Sequence, residues 1–194
     1  MELRTVAVQA ARDHILEAAL DELVASDGEG VTMKAVADRA GVALRTLYNH
    51  FSGRDELLTA AYLRHANETR AAAEAVTVPE TTPEAQLRHV VAAYYSRYAE
   101  GGERLTALLA LRGFLELDHQ IREIRAWRRS LLHGIVDRAR RAGDLAMPAP
   151  RAVALAFTMT SHAVWRTLVD ELDGDAPKAI LVGQKTLSAT LFDR

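Results

Sequence analysis

The chain has 194 residues, 49% of them hydrophobic, which is enough to build a packed core and argues against disorder. It has no cysteine, which excludes disulfides and cysteine-ligated zinc and fits a reducing cytoplasm. The net charge of −2 offers no overall attraction to a polyanion; no run approaches the roughly 18 apolar residues of a membrane span, and Met1-Glu2-Leu3-Arg4 is not the basic start of a secretory signal.

With 5 prolines, 11 glycines and no sustained period-two alternation, the expected fold class is all-α. The first helix is expected from about Val8 to Ser26, because Ile15, Leu16, Ala19, Leu20 and Leu23 share one face. Asp27-Gly28-Glu29-Gly30 ends it. Thr32 is an N-cap, and Val31 and Val36 are spaced to staple the entry of a short helix from Met33 to Ala40. Gly41 stops that helix, Val42 turns inward, and a second short helix runs from Leu44 to His50. Ser52 and Asp55 form a candidate capping box for a fourth helix reaching about Ala75, with Leu57, Leu58, Ala61 and Tyr62 on its apolar side.

Thr77 to Thr82 reads as a linker, and Thr82-Pro83 as a cap followed by proline in the first helical position. Leu87, Val91, Tyr94, Tyr95 and Tyr98 mark a fifth helix, broken at Gly101-Gly102. A leucine-rich sixth carries Leu105, Leu108, Leu109, Leu111 and Leu115. Ile121, Ile124, Leu131 and Ile135 mark a seventh that ends near Gly143. Pro148 and Pro150 open an eighth, from about Arg151 to Leu172, and a ninth spans about Lys178 to Phe192.

The stretch from Thr32 to Arg54 carries the chemistry. Two short helices meet through one glycine, as a helix-turn-helix requires; Ala37 is small where the helices cross, and Leu47 ties the second to the first. From Lys34 to Arg54, four cations (Lys34, Arg39, Arg45, Arg54) meet one anion, Asp38, with His50 beside them. This local excess matters because charge acts on DNA within a Debye length of about 8 Å. The second helix presents Arg45, Thr46, Tyr48, Asn49 and His50 outward. Arg suits guanine O6 and N7, and Asn suits adenine. Thr, Tyr and His suit phosphate oxygens, which position without reading sequence. Phe51 reads as core.

These residues resemble the TetR family of bacterial regulators. The run from Val31 to Leu58 holds a threonine opening the second helix, Ala40-Gly41-Val42 at the turn, Thr46-Leu47-Tyr48-Asn49-His50-Phe51, and a short loop with a basic residue. The resemblance covers about residues 10 to 62. It implies that Thr32, Thr46, Tyr48, His50 and Arg54 touch phosphates, and that Lys34, Leu44, Arg45 and Asn49 read bases. Two positions depart from the family pattern. Ala43 replaces the usual Ser or Thr, removing a cap typically worth about 1 kcal/mol, and Arg54 replaces lysine.

The resemblance also implies a DNA-binding domain over 1–53 and an effector-binding, dimerising helical bundle over 54–194. The expected protein is a homodimeric repressor, joined through its last two helices and released from a pseudo-palindromic operator by a small, partly apolar effector. No cofactor is expected. Tyr94, Tyr98, Leu108, Leu111, Phe114, Leu115, Trp127, Leu131, Phe157, Met159, Thr160, His162 and Trp165 are candidates for the effector wall, and each is equally suited to filled core. Arg112, Glu116, Thr160, His162 and Arg166 interrupt apolar runs, as the polar anchors of a pocket do. Gly183 and Ala179 permit close approach between protomers. The seven histidines, including His119 four residues before Glu123, lack metal-ligand spacing and read as solvated.

Three other readings stay open. One is a helical small-molecule-binding protein with a non-functional DNA unit, suggested by the acids Asp13, Glu17, Asp21 and Glu22 on the first helix. Another is an activator. The third is an enzyme using the C-terminal bundle, although no nucleophile–base pair, metal signature or phosphate loop supports it.

Overall fold

The computed structural model describes residues 2–26, 30–75, 81–111 and 115–192, and among them builds nine helices and no strand. In chain order these are α1 (Glu2–Ala25), α2 (Met33–Ala40), α3 (Leu44–His50), α4 (Arg54–Glu74), α5 (Pro83–Ala110), α6 (Leu115–Ala142), α7 (Ala149–Met159), α8 (His162–Glu171) and α9 (Ala176–Phe192). The expected break at Asp27-Gly28-Glu29, most of the Thr77–Thr82 linker, and the candidates Arg112 and Phe114 lie outside the described residues.

The number of helices agrees with expectation through two compensating differences. The break expected at Gly101-Gly102 is a kink inside α5, where Gly102 has φ 49° and ψ −136°. The single helix expected from Arg151 to Leu172 is instead divided at Thr160-Ser161 into α7 and α8. No Gly or Pro marks that division. Hydroxyl chemistry makes it: Thr160 Oγ1 turns back to the carbonyl of Ala156 at 2.9 Å, and Ser161 Oγ accepts from Val164 N at 3.3 Å, capping α8.

The capping at α4 also differs. The helix starts at Arg54, so its third residue is Glu56 rather than Asp55. Glu56 accepts from both the amide and the hydroxyl of Ser52, each at 2.7 Å, and these bonds hold its carboxyl below the usual range. Asp55 lies one position too early to make that reach.

Packing forms two compact units, Met1–Ala66 with Gly101–Arg122, and Asn67–Glu100 with Glu123–Arg194. This grouping differs from the functional division expected at 53/54. In the first unit α1 packs on α2 and α2 on α3, around Ile15, Leu16, Ala19, Leu23, Val36, Leu47, Phe51 and Leu57. In the second, α7, α8 and α9 pack on one another, with Leu87, Tyr95, Leu132, Ile135, Ala156, Leu187 and Leu191 buried. No described helix is long and apolar enough to cross a membrane.

Two small residues serve the interior of the chain instead of a protomer interface. Ala179 is fully buried. A Cβ added to Gly183 would lie 2.7 Å from Tyr95 Cε2 and 3.2 Å from Val91 Cγ1. α9 thus uses its glycine to approach α5.

Candidate nucleic-acid interface

The turn between α2 and α3 follows from three local features. Thr32 is extended (φ −117°, ψ 152°), and its Oγ1 accepts from Ala35 N at 3.1 Å, so its own proton stays available to an outside acceptor. Val31 and Val36, either side of this cap, are both buried. Gly41 is left-handed (φ 65°, ψ 29°), and the next amide, Val42 N, closes onto the carbonyl of Ala37 at 3.0 Å. That αL position is the reason for glycine here. α3 begins at Ala43 without a side-chain cap, as its sequence implies.

Leu47 is the single buried residue of α3, at 0% exposure, so the helix surface from Leu44 to Asn49 is otherwise presented outward. Leu44 is 40% and Tyr48 51% exposed; Arg45, Thr46 and Asn49 are exposed beside them. His50 is half-buried with its ring 6.4 Å from that of Phe51, which is core as expected. Thr32 and Lys34 are exposed at the start of α2, and Arg54 is half-buried at the start of α4. Of the nine residues assigned to DNA, seven are therefore on the surface and two at its edge.

The local cations differ in availability. Lys34 pairs with Asp38 at 2.6 Å, and this bond raises its pKa. Arg39 pairs with Glu22 at 2.8 Å. Arg45 makes no ion pair among the described residues. An exposed pair on one helix is weakly held, so Lys34 can exchange Asp38 for a phosphate.

Two residues of α1 hold the helix-turn-helix from behind, and sequence reasoning assigned neither a role. Arg12 Nη1 donates to the carbonyl of His50 at 2.9 Å, while its Cζ lies 4.1 Å from the centre of the Phe51 ring. His14 Nε2 donates to the carbonyl of Ala40 at 3.1 Å. These are the last carbonyls of α3 and α2, which lack partners within their own helices and carry the negative end of the helix dipole. His14 is exposed, as a solvated side chain is, and holds this bond besides; His89, half-buried, donates to the carbonyl of Ala72 at 2.8 Å, so the reading of that residue as solvated is corrected.

The acids of α1 are engaged as well. Glu17 pairs with Arg64 and, at 2.6 Å, with Arg104; Asp21 also pairs with Arg104, Glu22 pairs with Arg39, and Asp13 accepts from Gln9 at 3.0 Å.

Of the effector-wall candidates, the second compact unit gathers five. The Tyr98 ring lies 5.8 Å from Tyr94, 5.2 Å from His162 and 5.8 Å from Trp165. Tyr98 also donates its hydroxyl to the carbonyl of Thr160 at 2.9 Å. Burial holds the His162 imidazole down to about 4, with Arg166 contributing, so it is neutral near pH 7 rather than solvated. Arg128, absent from the sequence-based assignment, links Phe157 to this group. It stacks 4.2 Å from the Phe157 ring and 5.3 Å from Tyr94, and donates to the Thr160 carbonyl at 2.7 Å.

Other candidates are placed elsewhere. Trp127 stacks under the Arg70 guanidinium at 4.8 Å, Leu131 is half-buried, and Met159 gives its carbonyl to Tyr95 at 2.7 Å. Leu108 and Leu111 are buried in the first unit. Leu115 opens α6 at 82% exposure and faces solvent, so it lines no wall.

Residues 15–61 match the family described as bacterial regulatory proteins, tetR family. Over 92 residues the chain is 38% identical to the HTH-type transcriptional repressor KstR of Mycobacterium tuberculosis, covering 46% of this chain and 41% of that protein. The match spans less than half the length of the curated relatives it reaches. The fatty acid degradation regulator FadR of Bacillus halodurans superposes with a TM-score of 0.74 at 19% identity, covering 91% of this chain and 93% of that one. FadR of Bacillus subtilis, solved in complex with stearoyl-CoA, gives 0.72 at 21% identity over 91% and 97% of the two chains. At such identities the likeness is one of fold. The helix-turn-helix residues stand within the segment, 15–61, that matches the tetR family of bacterial regulatory proteins, and the likeness of the rest of the chain to the solved regulators is one of fold.

Proposed function

We propose that this protein is a cytoplasmic, homodimeric transcriptional repressor that leaves a pseudo-palindromic DNA operator when a small effector binds its helical bundle. The observation that carries this reading is α3, whose one buried residue, Leu47, turns Leu44, Arg45, Thr46, Tyr48 and Asn49 outward together. Arg45 and Asn49 supply base readout in the major groove; Thr32, Thr46, Tyr48, His50 and Arg54 supply phosphate contacts; Lys34 and Leu44 complete the base-reading set. In a symmetric dimer two such helices enter successive major grooves about 34–36 Å apart. α8 and α9 are the proposed dimer helices, and Leu181 on α9 is exposed for that use.

The rival with a non-functional DNA unit rested on the acids of α1. Glu17, Asp21 and Glu22 each pair with an arginine, which supports the regulator over that reading, while Asp13 bonds only Gln9 by its carboxylate among the described residues. Residues 1–53 would bind DNA and residues 54–194 would bind effector and partner. α4 joins the two parts as one continuous helix and is the natural lever. The effector must favour the state with wrongly spaced recognition helices, because equal affinity for both states shifts nothing. The B. subtilis FadR ligand, stearoyl-CoA, belongs to that protein; for this chain it supports only the idea of a bundle that takes a largely apolar molecule.

The test is fluorescence anisotropy of the purified protein against DNA flanking its own gene, at low and physiological salt. Tight binding that survives unrelated competitor DNA and weakens steeply with salt is expected. Weak binding, equal for all sequences and unchanged by Arg45→Ala, would count against a regulator.

A further inference from the structure

Arg128 occupies a position made for an apolar side chain. Leu132, Ile135, Val136 and Ala139 form the buried face of α6, and Arg128 falls on it, four residues before Leu132. The residue is 7% exposed. Burying a guanidinium without a carboxylate is costly, and the partners present recover only part of that cost. They are the Thr160 carbonyl at 2.7 Å, the Tyr98 hydroxyl at 3.3 Å, and the faces of Tyr94 and Phe157. The carbonyl end of α7 contributes a partial negative charge.

Two donors are left over. Among the described residues Arg128 Nε is buried without an acceptor, and so is Trp165 Nε1, on a ring 5.8 Å from Tyr98. Two exposed arginines add positive charge at the rim: the guanidiniums of Arg129 and Arg125 lie 4.3 and 6.0 Å from the same Phe157 ring. Among the described residues no carboxylate pairs with Arg125, Arg128 or Arg129. A buried guanidinium with a spare donor beside a second spare donor lacks an acceptor that carries negative charge.

We infer that Arg128 is the anchor for the carboxylate of an otherwise apolar effector, whose body rests against Tyr94, Tyr98, Phe157 and Trp165. This rests on the effector-responsive reading above and names the ligand class. His162, neutral through burial, adds no second charge, which suits a monoanion. A carboxylate on Arg128 competes with the Thr160 carbonyl for the guanidinium, so binding loosens the α7–α8 break that Thr160 and Ser161 form.

The experiment is calorimetric titration of the full chain with octanoate, decanoate, dodecanoate, benzoate and phenylacetate, each beside its own primary amide. In the wild-type protein at least one acid is expected to bind about tenfold or more tightly than its amide, the factor a charge-assisted bond contributes. Arg128→Gln should abolish that ratio. Arg128→Lys, which keeps the charge without the fork, should retain a preference for the acid at reduced affinity, and it decides the matter if the neutral variant does not fold. Five acids with no preference over their amides, a preference that survives Arg128→Gln, or full wild-type affinity in Arg128→Lys would each overturn the assignment. Anisotropy on the same wild-type preparation separates the two readings. DNA retention without acid preference removes only this inference; acid binding without DNA retention removes only the regulator.

Discussion

Arg12 and His50 are joined across 38 residues: the guanidinium of the first donates to the backbone carbonyl of the second at 2.9 Å while stacking 4.1 Å above Phe51. One side chain thus satisfies the open end of the recognition helix and ties it to α1. Arg12→Ala should lower unfolding stability by about 2 kcal/mol, the range of a hydrogen bond from a charged donor. It should also weaken DNA retention, although Arg12 is not assigned to any base. Arg12→Lys should restore only part, because an ammonium neither forks nor stacks as well. Denaturant titration and anisotropy measure both effects; a variant unchanged in each would mean that α3 holds its own end.

Arg45 and Lys34 should separate by type of loss. Arg45→Ala removes a base contact, costing about 1–3 kcal/mol at its preferred site, and should leave stability within about 0.5 kcal/mol because the side chain is exposed. Lys34→Ala should weaken all sequences alike and reduce the salt slope by about one unit. Asp38→Asn frees Lys34 and removes an anion from the DNA face, so DNA retention should rise. Weaker retention in Asp38→Asn would show that the pair orients Lys34 for its contact.

Gly183 and Gly134 make a matched contrast. Gly183→Ala drives a Cβ to within 2.7 Å of Tyr95, whose ring is fully buried and whose hydroxyl is held by Met159. The loss should be about 1–3 kcal/mol, the cost of overpacking. Gly134→Ala, in the middle of α6 with open space around it, should stabilise by about 0.5–1 kcal/mol through helix propensity. Thermal melts of the two variants should move in opposite directions.

His162 should make stability depend on pH in a defined window. Its folded pKa lies near 4 against an ordinary 6.5, so between those values the unfolded chain binds more protons. The contribution is complete above about 6.5 and is lost as pH falls toward 4. His162→Gln should flatten the melting temperature across this window. Parallel losses in variant and wild type would assign the acid sensitivity to other groups.

The two arginines that organise this chain were both visible in the sequence as anomalies. Arg12 precedes Leu16, Ala19 and Leu23 on the α1 stripe, and Arg128 interrupts the α6 stripe, so each is a cation where the period calls for an apolar residue. The sequence marks such a position without saying what satisfies it. His50 lies 38 residues from Arg12, and Thr160 lies 32 from Arg128. The α7–α8 division was hidden for a related reason. Thr160 and Ser161 are tolerated inside helices, and the break their hydroxyls make is supported by distant donors, Tyr95, Tyr98 and Arg128, that satisfy the Met159 and Thr160 carbonyls.

What the sequence determined by itself is the helix-turn-helix, because its causes are local. The Thr32 cap, the left-handed Gly41 and the inward Leu47 act within 16 residues, and the outward face of α3 follows once those are set. The tertiary structure alone decided which charges remain free. Lys34, Arg39, Glu17, Asp21 and Glu22 look equally available along the chain, yet all find partners, while Arg45 makes no ion pair among the described residues and Arg128 is buried without a carboxylate. Ion pairing depends on separation in space, falling off over a few ångströms, and residue order does not encode that distance.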